Sequence, residues 1–389
     1  MTLINSFRSW GASWRTCLVQ PDLRRSLALV AVWLVIVNVF ALLAFNRLNL
    51  APDTAFEWIT PTNVRAVPQS WDLIELHNRW DSYWYLDIAR HGYYTRGEQD
   101  ISNVAYFPLY PLMMRAVGHL TGGDLVLAGW LISCVFLALA AVQLTKLTQE
   151  FHPELEPVLP LLFLLASPPA FFLNAVYTES LFLFLSLMVV RHARHGHYLQ
   201  ASLWAALATA TRVAGVFLCL LLLVEFIRAR GWRGLFHWHV WPLALAPLGI
   251  VAFFTYHWIA FGDFFLFLHV ENNFGRDFGF ELKDFFARNN PDLANTLLDL
   301  ITAAWALSLA LLALWRLRLS YGLYMLFSLG IALSSGTVLG ISRYTMVLFP
   351  IYLLAAGIRS TVGRSAWLLG STLLLALDII RFVNHYWTS

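Results

Sequence analysis

Residues 26–45 read SLALVAVWLVIVNVFALLAF, twenty consecutive residues without a charged side chain. A helix of this length rises about 30 Å, which is the thickness of the hydrocarbon core of a bilayer. The run is longer than the ~7–15-residue apolar core of a signal peptide, and no small-residue cleavage site follows it. We therefore predict a retained transmembrane helix.

The rest of the chain has the same character. Of its 389 residues, 59% are hydrophobic and 13% are charged, whereas soluble domains average ~45–50% apolar and ~25% charged residues. Apolar runs of similar length recur, without the alternating pattern of barrel strands. The composition predicts an all-α polytopic membrane protein of about eleven transmembrane helices, surrounded by membrane lipids. Two of these predicted helices cover residues 157–172 and 344–358. The net charge of +3 is too small to indicate a nucleic-acid partner.

Arginine positions predict the topology. Arg8, Arg15, Arg24 and Arg25 precede the first span, which favours a cytoplasmic N-terminus. The first loop, residues 47–105, is then extracytoplasmic, contains interfacial helices and is too long for a plain connection. A second such loop spans residues 262–292. We predict one transmembrane domain over residues 1–389, with the 47–105 loop as its catalytic loop.

An apolar run at residues 198–226 is about 43 Å long if it is one helix, but it has arginines at both ends. One crossing cannot place both ends in the cytoplasm, so we predict a hairpin of two short helices with its turn at residues 209–215. Backbone breaks at membrane depth occur where they line a cavity.

The densest polar stretch is HNRWDSYWYLDIARHGYY, residues 77–94. Helical spacing places Asp81, Trp84, Tyr85 and Ile88 on one face, and aromatic neighbours that exclude water make a carboxylate a better proton acceptor. Asp81 is our candidate catalytic base, with Arg79 and Trp80 beside it. The alternative is that Asp81 caps the helix. Asp87 has Arg90 and His91 within one turn, so we interpret it as part of a structural ion pair.

Three other polar positions interrupt apolar runs on the same predicted side. Glu179, accompanied by Asn174 and Tyr177, is costly at membrane depth and suggests function, although it could also cap the next span. Arg212 and Arg343 are candidate anion sites, because a guanidinium binds phosphate bidentately and keeps its charge. Snorkelling to the interface is the alternative for Arg343.

The sequence has no Gly-rich phosphate loop, no Asp-x-Asp and no zinc-ligand spacing, so we expect no metal and no cofactor. A carboxylate and two arginines fit the transfer of a sugar from a lipid phosphate. Asp81 would accept the proton of an acceptor hydroxyl, and Arg212 or Arg343 would stabilise the leaving phosphate. A transporter or flippase of a lipid-linked substrate and a non-enzymatic scaffold are the alternatives.

The motifs resemble a known family. Arg79-Trp80-Asp81, Phe107-Pro108-Leu109-Tyr110-Pro111, Tyr177-Thr178-Glu179-Ser180-Leu181-Phe182, Ala210-Thr211-Arg212 and Arg343-Tyr344 occur in the order found in the second mannosyltransferase of GPI-anchor synthesis and its bacterial homologues. The chain departs from the family pattern at Ser167-Pro168 and Val213-Ala214. These departures affect the expected identity of the acceptor more than the expected type of reaction.

This resemblance implies a GT-C glycosyltransferase fold and an inverting, metal-independent transfer from a polyprenyl-phosphate sugar, mannose being expected. The acceptor, a glycan, lipid or protein, stays open. The compact loops favour a bacterial inner membrane with an extracytoplasmic site. Asp81 is the implied base, and the expected substrate-binding residues are Arg79, Trp80, Asn174, Tyr177, Glu179, Arg212, Arg343 and Tyr344.

Overall fold

A computed structural model describes residues 20–45, 72–96, 101–273, 293–334, 338 and 340–386. Arg8 and Arg15, residues 46–71 and 97–100 of the predicted catalytic loop, and residues 274–292 of the second predicted loop lie outside this part. Every regular element in the described ranges is helical, which agrees with the predicted class.

The α-helices of the described ranges are numbered here in chain order. In chain order they are α1 Pro21–Ala44, α2 Ser82–His91, α3 Leu109–Gly118, α4 Leu125–Phe151, α5 Leu159–Leu165, α6 Glu179–Arg194, α7 Tyr198–Thr209, α8 Val216–Arg230, α9 Leu248–Phe261, α10 Leu266–Asn273, α11 Leu293–Arg316, α12 Leu319–Ser334, α13 Ile341–Met346, α14 Pro350–Ala356 and α15 Thr361–Val383.

In the described ranges, four helices are long and apolar enough to cross a membrane, namely α1, α4, α11 and α15. The number rises to six if each of two bent helix pairs forms one span. The protein is therefore a polytopic integral membrane protein. The number of about eleven transmembrane helices stays a prediction. It also counts α7 and α8, which are shorter than the ~20 residues that a crossing needs.

The predicted hairpin is confirmed. α7 ends at Thr209 and α8 begins at Val216, and between them Arg212 has an extended backbone. A Cβ atom at Gly215 would lie 2.5 Å from the carbonyl oxygen of Ala208, so glycine is required for this close return of the chain. The turn places Arg212 between the ends of two apolar helices.

The prediction of one continuous helix over residues 157–172 is wrong. α5 ends at Leu165, and a 3-10 helix at Pro168–Asn174 meets α6 at an angle of 94°. The cause is local, because the residue before a proline avoids the helical region and Ser167 is extended with ψ 146°. The predicted helix over residues 344–358 is likewise two short helices, with Pro350 starting the second.

The bundle has two chemically different ends. At one end, Arg191 bonds Glu150 with its Nε 3.0 Å from Oε2, and the Nε of Arg318 lies 2.6 Å from Glu225 Oε1. These contacts join the C-terminal parts of α4, α6 and α8 to the start of α12. The opposite end holds the start of α6, the α7–α8 turn and the residues around Asp81.

Candidate active site

Asp81 lies at the N-terminal end of α2, and its carboxylate does not cap that helix. Oδ2 lies 2.7 Å from Nη1 of Arg343, and Oδ1 accepts a hydrogen bond of 3.2 Å from the hydroxyl of Tyr106. The side chain keeps 17% exposure. The capping interpretation therefore accounts for the position of Asp81 on the helix but not for what its carboxylate contacts.

The backbone before Asp81 is strained and held in place. Trp80 has φ +55°, a left-handed conformation that costs a non-glycine residue about 1–2 kcal/mol, and its side chain is buried. The hydroxyl of Tyr177 accepts from the Asp81 N–H at 3.1 Å and donates to the Arg79 carbonyl at 2.9 Å. Tyr177 thus fixes the two peptide groups that aim Asp81.

A second ion pair joins the start of α6 to the α7–α8 turn. Nη1 of Arg212 lies 2.7 Å from Oε1 of Glu179, and the two side chains are 11% and 2% exposed. The guanidinium also lies 5.3 Å from the ring centroid of Tyr344, within range for a cation–π contact. Glu179 is in addition the first residue of its helix, where negative charge is favourable. No capping hydrogen bond is made by Thr178 or by the Glu179 carboxylate, since Oε1 binds Arg212 and Oε2 has no hydrogen-bond partner among the described residues. The capping interpretation of Glu179 is therefore not borne out.

The two ion pairs form one cluster. Arg343 is 8% exposed, which does not fit snorkelling, and its guanidinium lies 5.3 Å from the rings of Phe172 and Tyr177. Its charge interacts with both Asp81 and Glu179. Four distant segments of the chain thus bring two carboxylates and two guanidinium groups together.

Two polar atoms of this cluster are buried without a hydrogen-bond partner among the described residues, Glu179 Oε2 and Arg343 Nε. An unsatisfied buried polar atom costs about 1–3 kcal/mol. A bound molecule with hydroxyl and phosphate groups could satisfy both atoms, the hydroxyl at Glu179 and the phosphate at Arg343.

Two of the predicted substrate-binding residues are engaged by the protein itself. The amide of Asn174 contacts Trp130 Nε1, Asn38 Oδ1 and His77 Nε2 at 3.0, 3.1 and 3.0 Å. Arg79 is 1% exposed and donates from Nη1 to the carbonyl groups of Glu75 and Asn78. The structure gives both residues a role in holding the loop, and a direct contact to substrate stays a prediction for them.

Tyr106, which was not predicted as a site residue, is a partner of Asp81. Its ring stacks on Trp84 with centroids 5.7 Å apart, which directs its hydroxyl towards Asp81. The available signal was its place directly before the Phe107-Pro108 motif. The interpretation of Asp87 as scaffolding is confirmed, since its carboxylate contacts His91 Nδ1 at 3.0 Å and Asn103 Nδ2 at 2.9 Å.

The sequence model of the Mannosyltransferase (PIG-V) family matches residues 24–230, which is more than half of the chain. The chain belongs to this family. The matched PIG-V region contains Asp81, Glu179 and Arg212, whereas Arg343 lies beyond it. Arg343 was a candidate from the sequence, but its pairing with Asp81 is shown by the structure and joins the matched region to a residue outside it.

Curated relatives agree with this assignment. The chain is 31% identical over 149 residues to GPI alpha-1,6-mannosyltransferase 2 of Mus musculus, covering 36% of this chain and 29% of the relative. It is 32% identical over 188 residues to the Cricetulus griseus protein of that name, covering 44% and 35%. It is 30% identical over 148 residues to GPI mannosyltransferase 2 of Schizosaccharomyces pombe, covering 36% of this chain and 30% of the relative. The match spans about a third of the length of these relatives, and no solved structure matches the chain.

The loop that carries Asp81 in this PIG-V chain is anchored by His77, whose Nδ1 faces the Leu73 carbonyl at 2.8 Å. Burial lowers the pKa of His77 from 6.5 to about 4. Between these values the unfolded chain binds a proton that the folded chain does not, so we predict that stability falls as the pH drops from 6.5 towards 4. The full effect is on the order of 3 kcal/mol.

Thermal unfolding of wild type and His77→Gln across this pH range tests the prediction. The difference between the two proteins should change steadily from pH 6.5 to pH 4, because only wild type carries the His77 contribution. Other titrating groups affect both proteins equally and so cancel in the difference. A difference in stability that does not change with pH would contradict the prediction.

Proposed function

We propose that this protein transfers a mannosyl group from a polyprenyl-phosphate donor to an acceptor hydroxyl, with inversion and with Asp81 as the base. The observation that carries the proposal is the contact between Asp81 and Arg343, beside the Glu179–Arg212 pair, in a PIG-V family chain. Residues 1–389 act as one transmembrane domain, in which the 47–105 loop supplies the base.

In the proposed reaction the acceptor oxygen attacks the anomeric carbon while Asp81 accepts its proton. The bond between that carbon and the donor phosphate oxygen breaks, and the electron pair leaves with polyprenyl phosphate. The negative charge that develops on this phosphate requires fixed positive groups. Arg343 and Arg212 are the two guanidinium groups in the cluster, so no metal ion is required for this role.

Donor binding and base release are coupled in this arrangement. In the structure Nη1 of Arg343 lies 2.7 Å from Asp81 Oδ2 and so occupies one of the positions from which an acceptor hydroxyl would donate its proton. A donor phosphate competes for the same guanidinium and thereby frees the carboxylate. We infer that the donor binds before the acceptor.

The positions of the arginines support an extracytoplasmic site. Arg191, Arg194 and Arg318 lie at the end of the bundle opposite Asp81, where they contact Glu150, Tyr321 and Glu225. Arginine is enriched on the cytoplasmic side of membrane proteins. The Asp81 cluster would then face the outer side, in a bacterial inner membrane if the source is bacterial.

A reconstituted transfer assay tests the function. Purified protein in nanodiscs receives polyprenyl-phosphate mannose or GDP-mannose with an alkyl mannoside as acceptor. We expect product and released polyprenyl phosphate from the lipid-linked donor alone, at a rate that EDTA does not change. Arg343→Gln should raise the KM for the donor about tenfold or more, because a charge-assisted contact to phosphate is lost.

The control is Arg90→Gln, which removes an exposed arginine from α2 and should leave the KM for the donor unchanged. Turnover of GDP-mannose but not of the lipid-linked donor would contradict the proposed donor. Movement of a labelled lipid donor across the bilayer without any product would favour the flippase alternative instead.

A further inference from the structure

The connection between α8 and α9 carries a surface that the proposed reaction does not use. We call residues 228–241 the basic aromatic segment. It contains Arg228, Arg230 and Arg233, and the sequence from 226 to 247 has no aspartate or glutamate. All three arginines are exposed, and none of them forms an ion pair with another described residue. The segment therefore presents unneutralised positive charge.

Large aromatic side chains are exposed in the same segment. Trp232, Phe236, Trp238 and Trp241 have exposed fractions of 71%, 91%, 73% and 50%. Covering apolar surface is favourable, and exposed apolar patches of this kind mark interaction sites. Tryptophan beside arginine is typical of the boundary between lipid headgroups and acyl chains.

The position of the segment in the fold agrees with such a boundary. It begins at the end of α8, one turn after Glu225, which is bound by Arg318 at the end of the bundle opposite Asp81. Its last residues belong to an apolar 3-10 helix, Trp238–Leu245, that leads into α9 at an angle of 53°. The segment thus lies where the apolar surface of the bundle ends.

We propose that the basic aromatic segment is a docking surface for anionic phospholipid headgroups in the leaflet opposite the Asp81 site. The arginines contact the headgroup phosphates and the aromatic rings enter the acyl boundary. Charge complementarity favours this occupant, since a polybasic stretch near a membrane attracts anionic lipid. A second copy of the same segment would bring like charges together, which is unfavourable.

Native mass spectrometry of the full-length protein tests the proposal. The probes are palmitoyl-oleoyl phosphatidylglycerol and the corresponding phosphatidylcholine, added to protein in a neutral detergent. We expect wild type to retain phosphatidylglycerol preferentially. Arg230→Gln/Arg233→Gln should weaken its binding on the order of tenfold or more, and Trp232→Ser/Phe236→Ser should weaken the binding of both lipids.

The matched control is Arg24→Gln/Arg359→Gln, which removes two exposed arginines elsewhere and should keep the preference of wild type. All variants are first checked for unchanged thermal unfolding and mannosyl transfer, so a failure of the proposed reaction is distinguishable from a failure of lipid binding. Equal retention of the two lipids by wild type would overturn the proposal. A wild-type dimer that Trp232→Ser/Phe236→Ser converts to monomer would also overturn the proposal, because a second copy of the chain would then occupy the segment.

Discussion

Replacing Asp81 by asparagine is expected to lower the rate of mannosyl transfer about 10²- to 10⁴-fold, the range typical for loss of a general base. The amide keeps the size of the carboxylate and an oxygen that can accept from Tyr106, which donates to Asp81 at 3.2 Å in wild type. The amide cannot take up the proton of the substrate hydroxyl. Initial rates with the lipid-linked donor measure the effect, and thermal unfolding shows whether the fold is retained.

Asp87→Asn is the matched control, because it changes a second carboxylate on the same helix that contacts His91 and Asn103. Its rate should stay within about threefold of wild type, since it loses only partly exposed scaffolding contacts. If Asp81→Asn turns over as fast as Asp87→Asn, Asp81 is not the base and the proposed mechanism is wrong.

Replacing Arg212 by alanine is expected to destabilise the protein by about 3–5 kcal/mol, the usual cost of leaving a buried charge without its partner. Glu179 is 2% exposed and would keep a carboxylate that, among the described residues, no other cation neutralises at contact distance. Glu179→Gln/Arg212→Gln removes both charges and should recover a large part of this stability. Chemical unfolding in detergent, followed for wild type, both single variants and the double variant, measures the interaction energy.

Arg191→Ala offers a comparison at a partly exposed ion pair, where Arg191 and Glu150 are 18% and 31% exposed. Its cost should stay near 1 kcal/mol. A loss of stability for Arg212→Ala no larger than for Arg191→Ala would mean that the buried pair is not a structural element. The double variant should still lack transfer activity, because it lacks the Arg212 guanidinium that we propose stabilises the leaving phosphate.

Features encoded within a few turns of helix could be predicted from the sequence. The hairpin at 198–226 followed from arginines at both ends of one apolar run, and the structure breaks the run between Thr209 and Val216. The contact of Asp87 with His91 followed from helical spacing. The break at Ser167-Pro168 was encoded locally as well, but the apolar character of the flanking residues outweighed the prolines in the prediction.

Contacts between distant segments could not be predicted in the same way. The sequence indicated Asp81, Glu179, Arg212 and Arg343 as candidate site residues, but it did not say which carboxylate pairs with which arginine. The pairing depends on the tertiary packing of α2, α6, α13 and the α7–α8 turn. Asn174 was predicted to bind substrate for a similar reason. Its partner Asn38 lies 136 residues earlier in the chain, so the sequence did not show that the Asn174 amide is already occupied.

The Asp81–Arg343 contact spans 262 residues of sequence, which has a consequence for biogenesis. During synthesis, Asp81 leaves the ribosome long before Arg343, so the contact between them can form only after nearly the whole chain has been made. A chain that stops just before residue 343 would carry the whole matched PIG-V region, residues 24–230, but would lack the arginine that pairs with Asp81. Stalled or prematurely terminated products would accordingly be inactive.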